Sequence, residues 1–231
     1  MLRLDALAID YPGFHLSANW QAEAGEVVAL IGPSGAGKSS LLLAIAGFLT
    51  PSGGRILWNG RDIAPLTPAE RPVGILFQDQ NLFPHLTVAQ NLGLALRPDL
   101  RLSAAQKERL TAVLERLGLG GMGDRRPAEL SGGQQGRAAL GRVLLQDRPI
   151  LLLDEPFAAL GPALKADLLT LVQGLVRETG ALCLLVTHEP GDARRFAEKT
   201  VLVADGVALP PVATAELFDN PPQAFQDYLG A

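Results

Sequence analysis

The stretch that decides the fold is Gly32-Pro33-Ser34-Gly35-Ala36-Gly37-Lys38-Ser39, which fits the pattern G-x-x-x-x-G-K-[ST]. It follows an apolar run, 27–31, and opens a helical pattern over 38–47. The glycines let backbone N–H groups turn inward around an anion, and the helix N-terminus adds positive potential. We therefore expect Lys38 to reach the outer phosphates of a nucleotide and Ser39 to offer its hydroxyl to Mg²⁺. A glycine-rich turn without a ligand is the alternative.

Length and composition favour one globular domain. The chain has 231 residues, of which 48% are hydrophobic and 19% are charged, and its formal net charge is −4. Mild acidity without clustered Lys and Arg argues against a nucleic-acid-binding protein. The single cysteine, Cys183, fits a reducing compartment without a disulfide framework. A long uncharged stretch, 39–54, is interrupted by Gly and Pro, so we expect no membrane-spanning helix.

Short apolar runs alternate with helical patterns along the chain. The runs are continuous, at 27–31, 73–77, 150–153, 182–186 and 201–203, which predicts strands buried on both faces of a parallel sheet. The helical patterns lie at about 38–47, 103–117, 134–146, 163–178 and 190–198. This alternation is typical of an α/β fold. Residues 86–136 hold helical patterns without a strand between them, so we interpret them as a helical subdomain inserted in the α/β core.

Two carboxylates, Asp154 and Glu155, stand at the end of the apolar run 150–153. Ligands of an open α/β sheet sit beyond the carboxyl ends of its strands, and adjacent strand residues point to opposite sides. We assign Asp154 to Mg²⁺, through water, and Glu155 to orienting and deprotonating an attacking water. A strand that ends in solvated acids is the alternative.

The segment Leu130-Ser131-Gly132-Gly133-Gln134 is the most informative part of the sequence. Its plain interpretation is a capping box, with Ser131 as N-cap and Gln134 three residues on. Two glycines in a first helical turn weaken the helix, so they indicate that something approaches the backbone closely. A bare helix N-terminus with a serine hydroxyl is a second anion site. Together with residues 32–39, which we call the phosphate loop, this second anion site predicts that two copies of the chain share nucleotide.

On these motifs, nearly the whole chain resembles the ATP-binding subunit of an ABC transporter. The resemblance implies ATP and Mg²⁺ as cofactors and a single nucleotide-binding domain over 1–231. It implies a P-loop NTPase fold, in which a RecA-like core with a mostly parallel sheet carries an N-terminal antiparallel β subdomain and the helical insert. It also implies a homodimer, in which the segment 130–134 of one subunit closes over the γ-phosphate held by the other.

Further positions match the family residue by residue. Tyr11 matches an aromatic that stacks on adenine, Gln78 a glutamine that touches Mg²⁺ and senses the membrane subunits, and His188 a histidine that contacts the γ-phosphate. Without the resemblance, a partly buried aromatic, a solvated loop residue and a surface histidine stay open as alternatives. The implied set comprises catalytic Lys38, Glu155 and His188, metal-binding Ser39, Gln78 and Asp154, and nucleotide-binding Tyr11, Gly32, Pro33, Ser34, Gly35, Ala36, Gly37, Lys38, Ser39, Ser40, Gln78, Ser131, Gly132, Gly133 and Gln134.

The segment 77–94 bears on the membrane partner. In the family it lines a groove that receives a short helix of the permease, and Leu82 and Phe83 are our candidates for that contact. Packing of the insert onto the core is the alternative for both residues. Residues 86–94 are similar to the ATP-binding proteins of bacterial thiamine importers, and iron(III) and polyamine importers share much of the segment. His15 and His85 gain no such support and are interpreted as structural or solvated.

Several positions depart from the family pattern. Gly161 stands where the family has an Asp that helps to couple the two nucleotide sites, and it removes that carboxylate and loosens the backbone. Gly136 and Gly141 replace larger residues, and the tail 206–211 lacks a common basic residue. We therefore expect a functional ATPase that is slow or weakly cooperative.

The resemblance also sets the expected partners and place in the cell. It implies two copies or halves of a transmembrane permease, a periplasmic substrate-binding protein, no nucleic acid, and a peripheral position on the cytoplasmic face of the inner membrane. Two other classes are the alternatives. An ABC-type ATPase outside transport would carry long coiled coils or two fused cassettes, and a small-molecule kinase would not explain the segment 130–134 together with Gln78 and His188.

Overall fold

The strands include every apolar run that the sequence analysis identified, with further short strands towards both ends of the chain. The computed structural model describes residues 1–79 and 81–229. The strands in this part are β1 (Leu2–Tyr11), β2 (Phe14–Ala22), β3 (Val27–Ile31), β4 (Gly53–Trp58), β5 (Arg61–Asp62), β6 (Val73–Leu76), β7 (Ile150–Asp154), β8 (Leu182–Val186), β9 (Lys199–Ala204), β10 (Val207–Ala208) and β11 (Val212–Ala213).

Each predicted helix is present within two residues of its predicted bounds. The helices are α1 (Lys38–Ala46), α2 (Val88–Gly93), α3 (Ala104–Arg116), α4 (Gly132–Leu145), α5 (Pro162–Thr179), α6 (Pro190–Phe196), α7 (Thr214–Asp219) and α8 (Gln223–Leu229). Their ends follow local chemistry. The side chain of Ser103 caps α3 and that of Thr87 caps α2, each in a reciprocal capping box, and Gly47 ends α1 in the left-handed region.

The sheet joins a parallel block to an antiparallel block. Among the described residues its order is β5-β4-β1-β2-β10-β9-β3-β8-β7-β6, with β11 on β9. Strands β9, β3, β8, β7 and β6 run parallel, whereas β1, β2, β4 and β5 pair antiparallel. The short β10 links the blocks, antiparallel to β9 and parallel to β2. The prediction of an α/β fold with a mostly parallel core and an N-terminal antiparallel unit is confirmed.

Strand β3 shows how the parallel block is buried on both faces. Its alternate side chains enter two hydrophobic clusters, because successive residues of a strand point to opposite sides. Val28 and Leu30 pack with β1, β2 and α1, and Ala29 and Ile31 pack with α4, α5, α6 and α8. All five residues of β3 are buried, which accounts for its continuous apolar sequence.

Between β6 and β7 the described residues form α2, α3, a 3₁₀ turn at Pro127–Glu129 and α4, joined by turns and loops and without a strand. Helix α4 runs past residue 136 to Leu145, where it also contacts β6. The predicted boundary of the insert at 136 thus lies inside a continuous helix. No helix among the described residues is long and apolar enough to cross a membrane.

Candidate active site

The carboxyl ends of the parallel strands meet at one edge of the sheet, where several of the predicted site residues lie. Strand β3 runs into the phosphate loop at Gly32, β7 ends at Asp154, and β8 is followed by Thr187 and His188. Leu76 of β6 lies opposite Leu153 of β7, so Gln78 follows at the same edge. An open α/β sheet binds its ligands at this edge.

The phosphate loop has a backbone that requires its glycines. Gly32 has φ 147°, and a Cβ there would lie 2.0 Å from the carbonyl oxygen of Val203. Gly37 has φ 99°, and a Cβ there would lie 2.6 Å from the ring of Phe14. Within the described part of the chain, the backbone N–H groups of Gly35, Gly37 and Ser39 have no protein acceptor. Such a loop at the start of α1 is an anion cradle.

The side chain of Lys38 folds back onto the phosphate loop. Its Nζ donates hydrogen bonds of 2.8 Å to the carbonyl oxygens of Gly32 and Pro33, and the residue is only 4% exposed. Burial lowers the pKa of Lys38, although the nearby charges of Glu155 and Asp154 oppose the shift. A buried ammonium held by two carbonyls is available to an anion that enters the loop.

Ser39 and Asp154 form the second polar pair of the site. The Ser39 hydroxyl donates to Asp154 Oδ1 over 2.9 Å. Burial raises the pKa of Asp154, and the hydrogen bond from Ser39 opposes that shift. A hydroxyl and a desolvated carboxylate are hard oxygen ligands of the kind that Mg²⁺ uses. Among the described residues no three His, Cys, Asp or Glu side chains cluster as a metal site.

Glu155 and His188 face each other across the ends of β7 and β8. His188 Nε2 contacts Glu155 Oε1, and the Glu155 side chain is 16% exposed. Glu155 has φ 46°, an uncommon value for a residue other than glycine, and its N–H donates to the carbonyl of Val186. Strain of this kind persists only where the surroundings over-determine the conformation, as they do at functional sites.

The phosphate loop opens into a pocket of about 310 Å³ beside Tyr11. Tyr11 is 45% exposed, and its hydroxyl lies 3.3 Å from Ser40 Oγ. The ring of Phe14 stacks on one face of Tyr11, with centroids 4.5 Å apart and planes 11° apart. The pocket is lined by Tyr11, Phe14, Ser34, Gly35, Gly37, Lys38, Ser39, Ser40, Glu155 and His188.

The segment 131–134 starts helix α4 and lines no part of that pocket. Ser131 and Gln134 form the reciprocal capping box, with hydrogen bonds of 3.3 Å and 2.9 Å. A Cβ at Gly133 would lie 2.5 Å from Leu164. We expected both glycines to leave room for an outside group. At Gly133 the room is taken by this chain's own α5, while Gly132 is exposed.

Gln78, Leu82 and Phe83 differ in exposure. Gln78 is exposed and its side chain makes no hydrogen bond within the described residues. Leu82 is half-buried and packs against the core cluster that contains α4, which favours the packing interpretation for this residue. Phe83 is 44% exposed, and Asn91 binds both its N–H and its carbonyl. The exposed ring of Phe83 is therefore held on a fixed backbone.

The three glycines that depart from the family pattern have different structural surroundings. Gly161 is the N-cap of α5, has φ −62°, and a Cβ added there would meet open space. A Cβ at Gly141 would lie 2.7 Å from Leu117 and 3.0 Å from Leu92, so Gly141 allows α4 to approach its neighbours closely. Gly136 is buried in α4, and the structure offers no further reason for glycine there.

Phe14, which was not predicted from the sequence, completes the pocket wall. A signal was available, because Tyr11 and Phe14 are paired across the Pro12-Gly13 turn that joins β1 and β2. His15 is paired with Asp10 at 2.5 Å on the exposed surface. His85 packs edge-on against Phe83. Neither histidine lines the pocket.

Comparison with known proteins gives the class. The family model described as "ABC transporter" matches residues 16–158. The chain belongs to the ABC transporter family, and the resemblance found in its sequence is confirmed.

Individual relatives are similar over the whole chain. The chain is 63% identical to the thiamine import ATP-binding protein ThiQ of Cereibacter sphaeroides and 54% identical to that of a Ruegeria species, over 100% of both chains in each case. Among solved structures it is similar to a dimeric ATP-binding cassette in a post-hydrolysis state, bound to ADP and Pi. The TM-score is 0.79 at 29% identity, over 93% of this chain and 99% of that one.

Proposed function

We propose that this chain is the ATP-binding and ATP-hydrolysing subunit of an ABC importer and that the imported solute is thiamine. The observation that carries the ATPase proposal is the single pocket shared by Lys38, Ser39, Glu155 and His188. The names of the full-length relatives support thiamine as cargo. An iron(III) or polyamine importer remains the competing assignment of cargo and is separated by experiment below.

The phosphate loop binds the triphosphate of ATP in this proposal. The N–H groups of Gly35, Gly37 and Ser39, which have no acceptor among the described residues, donate to phosphate oxygens, and Lys38 Nζ moves from the loop carbonyls to the outer phosphates. Gly32, Pro33, Ser34 and Ala36 shape the loop. Tyr11 stacks on adenine with its free face, since Phe14 covers the other. Ser40 holds the Tyr11 hydroxyl.

Ser39, Asp154 and Gln78 hold Mg²⁺ in this proposal. The desolvated carboxylate of Asp154 gains a counter-charge, and the Ser39 hydroxyl is already within hydrogen-bond distance of it. Bound Mg²⁺ neutralises charge on the phosphate oxygens. Gln78 reaches the site from the end of β6, and its exposed position also suits contact with a membrane subunit.

Glu155 and His188 carry the hydrolytic step. Glu155 orients the attacking water and accepts its proton on the carboxylate, and His188 donates from Nε2 to the γ-phosphate. The contact between His188 Nε2 and Glu155 Oε1 keeps the two groups within reach of one reacting atom. Removal of either group is therefore expected to stop hydrolysis while the phosphate loop still binds ATP.

The segment Ser131, Gly132, Gly133 and Gln134 acts on the nucleotide of a second copy. It starts α4 outside the pocket of its own chain, and the solved cassette to which this chain is similar is dimeric. A homodimer places each helix N-terminus, with its serine hydroxyl, over the triphosphate of the other copy. ATP binding then closes the dimer and hydrolysis reopens it.

The remaining partners follow from the same proposal. Two copies or halves of a transmembrane permease contact the exposed ring of Phe83 and the half-buried Leu82 next to it in sequence, and a periplasmic binding protein delivers the solute. The chain then lies at the cytoplasmic face of the inner membrane as a peripheral subunit. We further propose residues 86–136 as the helical subdomain of this single nucleotide-binding domain, with α4 continuing from it into the core.

The test is transport by the chain purified with its membrane partners in lipid vesicles. We expect ATP-dependent uptake of labelled thiamine, and ATP hydrolysis stimulated by thiamine with its binding protein. Glu155→Gln abolishes both activities and elutes as a dimer on size exclusion with Mg-ATP. Glu108→Gln, the same change on the exposed face of α3, leaves all three measurements unchanged.

The outcomes separate the parts of the proposal. Stimulation by iron(III) or by a polyamine in place of thiamine contradicts the cargo alone. A monomeric Glu155→Gln variant at saturating Mg-ATP contradicts the shared nucleotide site. Absence of ATP cleavage by the wild-type complex contradicts the proposed function itself.

A further inference from the structure

The C-terminal helix α8 reaches back to the active-site edge through Tyr228. The Tyr228 hydroxyl donates a 2.8 Å hydrogen bond to the backbone carbonyl of His188, 40 residues away in sequence. His188 is the residue whose ring contacts Glu155. The bond therefore links the end of the chain to the backbone of a residue to which we assign catalysis.

The ring of Tyr228 is held in place by an aromatic cluster. Phe225, one turn earlier in α8, is fully buried and stacks on Tyr228 with centroids 6.1 Å apart. Phe218 packs edge-on against Phe225 at 5.1 Å. The first turn of α8 is fixed independently, because Gln226 Nε2 donates to the carbonyl of Pro221 over 2.8 Å. The hydroxyl of Tyr228 thus projects from a fixed support.

The residues on either side of His188 are fixed by other contacts. Thr187 Oγ1 donates to Asp192 Oδ2 and accepts from the N–H of Glu189. Lys165 pairs with both Glu189 and Asp192. The N–H of Glu189 and the carbonyl of His188 belong to one peptide group, so Thr187 holds its N–H end and Tyr228 holds its carbonyl end. This peptide group adjoins the Cα atom that carries the His188 ring, so a displacement of its carbonyl end shifts the ring relative to Glu155.

We propose that Tyr228 is a positioning residue for His188: it holds the His188 peptide so that Nε2 meets Glu155 and the γ-phosphate. The proposal rests on the proposed ATPase function. Burial, with a smaller contribution from the charge of Glu155, raises the pKa of Tyr228, so the phenol stays protonated as a donor at neutral pH. Tyr228 is not among the residues that line the pocket, and its effect passes through His188.

The test compares Tyr228→Phe with Gln226→Met in the full chain purified with its membrane partners. Tyr228→Phe removes only the hydroxyl and keeps the ring on Phe225. Gln226→Met removes a hydrogen bond of the same length from the same helix, without contact to His188. We expect kcat for Mg-ATP to fall about 5-fold in Tyr228→Phe with KM unchanged, as for the loss of one neutral hydrogen bond. We expect Gln226→Met to keep both constants.

A second readout needs no turnover. The chain has three histidines, so ring-labelled histidine gives three signals, and Tyr228→Phe should shift that of His188 while leaving those of His15 and His85 in place. Equal kcat in Tyr228→Phe and wild type overturns the proposal. The proposal is also overturned if kcat falls equally in Tyr228→Phe and Gln226→Met and both variants lose the same thermal stability. An unchanged His188 signal also overturns it. If the wild-type complex cleaves no ATP, the proposed function fails, and the histidine signals still decide the positioning role.

Discussion

Replacing Lys165 by Met tests how α5 is attached to the segment that follows β8. Lys165 Nζ lies 2.5 Å from Asp192 Oδ2 and 2.9 Å from Glu189 Oε1. The side chains of Lys165 and Asp192 are 11% and 13% exposed, and that of Glu189 is 67% exposed. Methionine keeps the apolar stem of the lysine but leaves the carboxylate of Asp192 buried without its counter-ion.

The expected loss in the free energy of unfolding of Lys165→Met follows from the burial of the ion pair. Removing one partner of a buried ion pair costs about 3–5 kcal/mol. Asp192 retains the hydrogen bond from Thr187, and Glu189 is well solvated, so we expect the lower end, about 3 kcal/mol. For a domain of this size, that loss lowers Tm by roughly 6–12 °C.

The assay is urea unfolding of the full chain at pH 7, with Lys107→Met as the control on an exposed lysine. We expect the control to change the free energy of unfolding by less than about 0.5 kcal/mol. A double-mutant cycle with Asp192→Asn isolates the pair. A Lys165→Met variant as stable as wild type, or a coupling energy near zero, refutes the reasoning.

The direction in which pH changes the stability contributed by Lys165 follows from the shift of its pKa. Burial lowers the pKa of Lys165, but hydrogen bonds to Asp192 and Glu189 outweigh it and raise the pKa above its ordinary value of 10.5. A raised lysine pKa contributes stability that is complete below the ordinary value and is lost as pH rises through the raised one. The difference between wild type and Lys165→Met should therefore be constant near neutral pH and shrink in strong alkali.

Two further substitutions test the site and its departure from the family. Asp154→Asn should raise the free energy of unfolding without nucleotide by about 1 kcal/mol, because burial penalises the carboxylate, and should abolish Mg-dependent ATP cleavage. Urea unfolding at pH 7 measures the gain, which should shrink towards pH 4 as the carboxyl is protonated; a less stable variant would contradict it. Gly161→Asp should add an N-cap to α5, where glycine leaves none, and stabilise the chain by a few tenths of a kcal/mol, up to about 1. If thermal unfolding shows no gain in stability, the expected N-cap is contradicted. If the ATPase rate and cooperativity of the assembled transporter stay as in wild type, the expectation that Gly161 makes the ATPase slow or weakly cooperative is contradicted.

The parallel half of the fold was predictable from the sequence, and the antiparallel half was not predictable from pattern alone. Strand β3 and the other buried strands read as continuous apolar runs because both of their faces are covered. Strand β1 alternates irregularly, with a register shift between Leu4 and Leu7, and β5 and β10 are two residues long. Only the resemblance to a family indicated the antiparallel block, and its pairing depends on contacts distant in sequence.

The candidate site also has a part that was predictable from the sequence and a part that was not. The phosphate loop was visible in the sequence because its spacing is local: glycines, lysine and serine within eight residues act on one anion. Gly133 shows the limit of that reasoning. The sequence indicates that a glycine is required there, whereas the structure shows that Leu164 of α5 requires it, a contact 31 residues away that no local pattern encodes.

By itself, the sequence determined the phosphate loop, the two acids at the end of β7, and the buried strands between helices, because each depends on residues adjacent in the chain. Only the tertiary structure decided that Lys165 holds the segment after β8 and that Tyr228 binds the carbonyl of His188. The physical reason is that these contacts join residues on different elements, whose approach is fixed by the packing of α5 and α8 against the sheet rather than by local spacing.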